Sequence, residues 1–259
     1  FFLLALFAQA GETILIKNGT IVTVVGNRIQ KGSILIEDGK IVKIEASISA
    51  PSDARVIDAS GKYVYPGLVA LMTTIGVTGY PGAGNDVNEL GVTTPHMDPY
   101  DAINPEDSTI DVTRIGGVTT VMTVSGSMNV INGKSVVLNL GGNLADEMVI
   151  KRYVAQIFNM GAKGQSMFGP SRPGFPTTLP GVLAIVRDKL NKAKEYAAKI
   201  KKSKEGEEKK VGPAGKDLAM EALVPVVEGK VPAIFLTSNS VTIKNALQVI
   251  EEYKLKGII

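Results

Sequence analysis

Proton transfer, nucleophilic attack and metal binding each need particular side chains, and this chain offers few of them. It contains one histidine, His96, and no cysteine. A site of several imidazoles is thereby excluded, as are thiolate metal sites and the Cys–His pairs that activate nucleophiles. No Gly-x-Ser-x-Gly elbow occurs either. His96 lies in a polar stretch with Asp86, Glu89, Asp98 and Asp101. Two readings stand side by side: His96, Asp98 and Asp101 contact a small-molecule substrate from a site loop, or His96 is a surface or packing residue.

Other motifs carry less. The run Gly79 to Gly84 lacks the Gly-x-Gly-x-x-Gly spacing and reads as a loop. Gly133-Lys134-Ser135 imitates the end of a phosphate loop, but Met128 stands where that loop needs its first glycine. The carboxylate pairs Glu106-Asp107 and Glu251-Glu252 fall on predicted helices, the first favourable to a helix N-terminus and the second solvated.

The elements that position these residues follow from turn chemistry and periodicity. Between Thr13 and Val64, Ile- and Val-rich runs are separated by Asn18-Gly19, Gly26-Asn27, Asp38-Gly39 and Ser60-Gly61. Such dipeptides supply the positive φ angles of tight hairpins, so antiparallel strands are predicted over residues 13–65. After Pro66-Gly67 strand-like runs alternate with helical ones, which predicts βα units and a parallel sheet. A helix is predicted from Asn104-Pro105 to Ile115, ending at Gly116-Gly117 and feeding a strand Val118–Val124. A second is predicted from Leu144 to about Asn159. A third starts near Thr178-Leu179-Pro180, with Val182, Leu183, Val186, Leu190, Ala193, Ala197 and Ile200 on one face. It runs into the charged tract Lys201–Lys210, read as a solvated helix end and loop. Asp217–Val227 suits a helix, Ala233–Thr237 a buried strand, Val241–Tyr253 a helix, and Gly257-Ile258-Ile259 the opening of another strand.

The balance of charge, +3 overall with a hydrophobic content of 44%, describes a globular chain with no electrostatic footprint for nucleic acid. Residues 1–10 end in Ala8-Gln9-Ala10 after an apolar run, the pattern of a signal-peptide tail, which predicts export to the periplasm or exterior. A buried first strand or a short membrane anchor is the alternative; no later run is long enough to span a bilayer. The chain opens on Phe1 and stops at what reads as a strand start, so a fragment truncated at both ends is expected.

Three stretches together resemble a known family. They are the strand–turn series ILIKNGTIVTV, GSILIEDGKIVKI and VIDASGKYVYPGL, the segment Thr94 to Glu106, and Gly117-Val118-Thr119-Thr120-Val121 leading to Ser125-Gly126-Ser127. In these the chain is similar, from about Thr13 onward, to imidazolonepropionase-like members of the amidohydrolase superfamily. The resemblance implies an α/β fold: a small N-terminal β-sandwich module, then the first half of a (β/α)8 TIM-like barrel over residues 66–259. It also implies a hydrolase of non-peptide C–N bonds that uses a divalent metal such as zinc. Where the family carries Asp-x-His-x-His after the first barrel strand, this chain has Ala70, Met72 and Thr74; where a later strand carries His-Ala-His, it has Leu236 and Ser238. Thioether, hydroxyl and aliphatic groups are poor zinc ligands, so no metal ligand is assigned in this segment. Two functional expectations follow: a hydrolase whose metal rests on other residues, or a non-catalytic barrel that binds a ligand or partner.

Overall fold

The computed structural model describes residues 12–79, 86–87, 91–161, 176–204 and 216–259. The predicted signal-peptide tail, Glu89, most of the Gly79–Gly84 run and most of the charged tract after Lys204 lie outside the described residues. The chain divides into two compact units, Phe1–Gly67 and Leu68–Ile259.

The first unit is one sheet of five strands: β1 (Ile14–Ile21), β2 (Ile29–Glu37), β3 (Lys40–Glu45), β4 (Arg55–Asp58) and β5 (Tyr63–Val64). β2 and β3 form the predicted hairpin across Asp38 and Gly39, both at positive φ. Gly26-Asn27 likewise lies in the connection between the antiparallel strands β1 and β2, with Gly26 at φ 92. The remaining two dipeptides are used differently. Asn18, at φ 65, sits within β1 and not between strands, where it makes a bulge in the pairing with β2. Gly61 turns the chain between β4 and β5, but these are not a hairpin, since both pair in parallel with β1. Asn18 donates to the Asp58 carboxylate at 2.8 Å, tying the bulge to the end of β4. Among the described residues this unit is a single sheet, where the family resemblance implies a sandwich.

The second unit is a six-stranded sheet in the order β11-β10-β9-β8-β7-β6. Its elements are β6 (Leu68–Thr73), α1 (Ser108–Ile115), β7 (Val118–Val124), β8 (Ile131–Asn139), α2 (Ala145–Met148), β9 (Val149–Asn159), α3 (Leu179–Lys204), α4 (Leu218–Val227), β10 (Ala233–Leu236), α5 (Ser240–Tyr253) and β11 (Gly257–Ile258). β6 with β7, β9 with β10, and β10 with β11 are parallel, as βα units require. β8 runs antiparallel to both its neighbours, so the sheet is mixed.

The second predicted helix is corrected here. Only Ala145–Met148 is helical, and Val149–Asn159 is the eleven-residue strand β9. Its β-branched and aromatic residues favour a pleated surface, and β8 and β10 supply partners on both edges. The helix predicted from Asn104 starts later, at Ser108. Asp107 is its cap, accepting from the Thr109 amide at 2.9 Å, while the Asn104 side chain holds the preceding turn through the Glu106 amide at 3.0 Å.

Burial explains why the sheet takes this form. On one face α3, α4 and α5 cover a core that includes Phe158, Leu190, Leu223, Phe235 and Val249, with the Phe158 and Phe235 rings stacked at 5.0 Å. α1 covers Val121, Val136 and Leu138. Alternate residues point the other way, where Met122, Val124, Ala155 and Ile157 pack with Met72, Val137, Ile234 and Leu236. That second apolar face is the lumen side of a curled half-barrel.

Candidate functional site

The lumen face borders a cavity of about 670 Å³, lined by β6, β7, β9 and β10 and the segments that follow them. Met72, Met122, Ala155, Ile234 and Leu236 make its walls; Ser127, Asn159, Thr237 and Ser238 supply polar groups. No ionisable side chain lines it among the described residues. Low-dielectric walls of this kind exclude water and strengthen whatever hydrogen bonds a ligand makes at the polar groups.

Each wall residue is aimed by a local feature. In an ordinary strand Ala70 and Met72 would share a face, yet Ala70 packs with the α1 cluster and Met72 with the lumen cluster. The cause is a bulge: the pairing of β6 with β7 shifts register between Ala70 and Thr73, and Met72 has φ 56. Thr74 leaves the strand altogether. Its carbonyl accepts from the Thr78 hydroxyl at 2.7 Å and the Val77 amide at 3.2 Å, and it is not among the cavity's lining residues. Of the positions where the family resemblance expects ligands on this strand, only Met72 reaches the lumen.

On β10 the two-residue period is kept, and Leu236 and Ser238 both line the cavity. The segment after β10 is held by the cap of α5: the Ser238 and Asn239 amides each donate to the Thr242 hydroxyl at 3.1 Å, and Asn239 accepts from the Thr242 amide at 3.0 Å. Asn159, at the end of β9, donates to the Ser127 carbonyl at 2.7 Å and accepts from the Gly161 amide at 2.8 Å. Sequence reasoning missed Asn159 because it was placed at the end of a helix. The available signal was the β-branched and aromatic content of the residues before it.

His96, Asp98 and Asp101 do not line this cavity. His96 borders a separate cleft of about 250 Å³ with Lys134, Tyr153, Glu221 and apolar residues of α4, and its Nδ1 is buried without a partner among the described residues. Asp98 pairs with Arg152 at 3.0 Å and Lys134 at 3.4 Å, and Asp101 lies 3.9 Å from Arg152. Arg152 stacks on the Tyr100 ring. The hydrogen bond from Tyr100 to Asp146 raises the Tyr100 pKa, and burial pushes that of Tyr153 well above its ordinary value. The structure thus joins Asp98 and Asp101 through Arg152. Asp86 is fixed through its amide, which donates to the Val77 carbonyl at 3.2 Å.

Gly133-Lys134-Ser135 lies inside β8, in extended backbone that cannot cradle a phosphate. A Cβ at Gly133 would fall 2.0 Å from the Ser125 hydroxyl and 2.4 Å from the Met97 carbonyl, which accounts for the glycine. Ser135 is buried, exchanging hydrogen bonds with the backbone of Ala155.

A divalent ion does not fit the donors present. Among the described residues no group of three or more His, Asp or Glu side chains comes together, and Met72, Leu236 and Ser238 offer a thioether, a hydrocarbon and a hydroxyl. No helix among them is long and apolar enough to cross a membrane.

Comparison with known proteins gives a consistent set of similarities. No family model matches the chain. The solved structure of an amidohydrolase from Thermotoga maritima MSB8 aligns with 94% of this chain and 63% of its own, at TM-score 0.84 and 29% identity. Amidohydrolase tasK of Hapsidospora irregularis is 34% identical over 113 residues, 41% of this chain and 12% of that protein. A dihydroorotase of Carboxydothermus hydrogenoformans is 42% identical over 66 residues, and a D-hydantoinase of Geobacillus stearothermophilus 53% identical over 55. These stretches cover 26% and 21% of this chain and only 15% and 11% of those proteins.

Proposed function

This chain belongs to the amidohydrolase superfamily, and from that premise we propose that the complete protein hydrolyses C–N bonds other than peptide bonds in small molecules held in the barrel lumen. The observation that carries the reading is the alignment of nearly the whole chain with a solved amidohydrolase, with the cavity on the lumen side of the sheet. Relatives named dihydroorotase, D-hydantoinase and 5'-deoxyadenosine deaminase support the bond class. The segments Thr94–Glu106 and Gly117–Val121 favour the imidazolonepropionase-like subgroup.

The chain's own residues bind and orient. The walls are apolar, and the polar groups of Asn159 and Ser238 offer hydrogen bonds to a ligand's amide or carbonyl edge. The described residues bring together no ligand set for a metal, and an ion in the complete protein rests on other residues. Export is supported by the apolar run that ends in Ala8-Gln9-Ala10, and a second layer completing the N-terminal sheet as a sandwich is part of the same reading. His96, Asp98 and Asp101 act as substrate contacts in the same reading, supported by the cleft that His96 lines with Lys134 and Tyr153.

One observation favours a second reading, a non-catalytic binding barrel: the apolar packing of Met72 and Leu236 where ligand histidines are expected. Turnover separates the two. The complete protein is incubated with hydantoin and 5'-deoxyadenosine, with product formation followed by absorbance and zinc, iron and manganese counted per chain by elemental mass spectrometry. Turnover of either establishes the hydrolase; a folded, metal-free protein with no turnover leaves the scaffold.

A further inference from the structure

The next inference deepens the lumen reading and depends on the lumen being the ligand site. β6 and β10 present Met72 and Leu236 into the cavity, and both pack with Met122, Ala155 and Ile234 as one apolar cluster. Met72 is brought there by a left-handed backbone, which is an outlier for a long side chain. Strain of that kind persists only where the surroundings hold it, and functional sites are where it collects. The bulge aims a flexible, polarisable thioether at the cavity in place of a metal ligand.

Charge is excluded by the same walls. None of the lining residues is ionisable, and an unpaired charge moved into such surroundings loses hydration that nothing there replaces. The polar groups are few and partly engaged. Asn159 already donates to Ser127 and accepts from Gly161, which leaves one amide hydrogen and one lone pair for a ligand; Ser238 adds a hydroxyl. Ser127 and Thr237 add two further hydroxyls, and the inventory matches a molecule with a few polar atoms on an otherwise apolar body.

We propose that β6 and β10 grip an uncharged, largely apolar small molecule directly, with no divalent ion between protein and ligand. The probe is N-phenyl-1-naphthylamine, an uncharged dye whose fluorescence rises in apolar surroundings, titrated into the complete protein before and after dialysis against EDTA. Saturable binding is expected, with dissociation constants that agree within about twofold in the two preparations. Met72→Asn and Leu236→Asn each weaken it about tenfold. Asparagine tolerates the left-handed backbone at position 72, so the first variant keeps the fold, and thermal melting verifies this for both. The idea is overturned by a folded protein that binds no dye, by EDTA weakening binding more than tenfold, or by folded variants that bind as tightly as the parent. Failure here is distinct from failure of the hydrolase reading. Dye binding without turnover sinks only the hydrolase, and turnover with EDTA-sensitive dye binding sinks only the ion-free grip.

Discussion

Asp107 uses both oxygens of one carboxylate. Oδ1 accepts from the Thr109 amide and caps α1, while Oδ2 accepts from the Gly76 amide at 3.2 Å and ties the segment after β6 to that helix. The residue is 4% exposed, so water cannot readily replace either bond. Losing a cap costs about 1 kcal/mol, and a buried amide left unpaired costs about 1–3 kcal/mol more. Asp107→Ala in the complete protein should therefore lose about 2–4 kcal/mol in urea unfolding, and Asp107→Asn, which keeps one acceptor, about half of that. A loss under about 1 kcal/mol for the alanine variant would show that solvent reaches Gly76. In sequence Asp107 reads only as a charge favourable to a helix dipole. Its second bond joins residues 31 apart, and no local pattern encodes that.

The β8–β9 pair belongs to the element scale. Gln156 is fully buried; its amide nitrogen donates to the carbonyls of Gly133, at 3.1 Å, and Asn132, and its oxygen accepts from the Tyr153 hydroxyl at 2.8 Å. Tyr153 itself holds φ 48, a break in the strand that brings its hydroxyl within reach of the Ala222 carbonyl on α4. Gln156→Leu keeps the volume and removes every one of these partners, so about 2–3 kcal/mol of stability should go. Hydrogen exchange should localise the loss to β8 and β9. Uniform loss of protection across the sheet would instead mark Gln156 as part of one global unit.

At the scale of the whole molecule the sheet edges decide behaviour. Among the described residues β6 pairs only with β7 and β11 only with β10, and Leu68, Val69 and Leu71 on β6 are 59%, 63% and 66% exposed. An apolar edge strand with unpaired backbone groups is a template for association. The 259-residue chain expressed alone should elute above its monomer mass at micromolar concentration, with light scattering giving the size. A monomer with a cooperative melt would show that the open edges are tolerated.

The sequence by itself determined what local chemistry can encode. α3 to α5 and β10 follow from periodicity and caps, and residue type alone identifies Met72, Thr74, Leu236 and Ser238 at positions where the family resemblance expects histidines. Tertiary structure decided the rest. β9 is buried on both faces through Ala155–Asn159, and a run buried on both sides carries no alternation to distinguish strand from helix; only pairing with β8 and β10 makes it a strand. The bulges at Asn18 and Met72 are likewise products of register, which long-range pairing sets. Residue type alone placed a thioether and a hydrocarbon where the family resemblance expects histidines, but it took the shift at Met72 to show which of these side chains reaches the lumen.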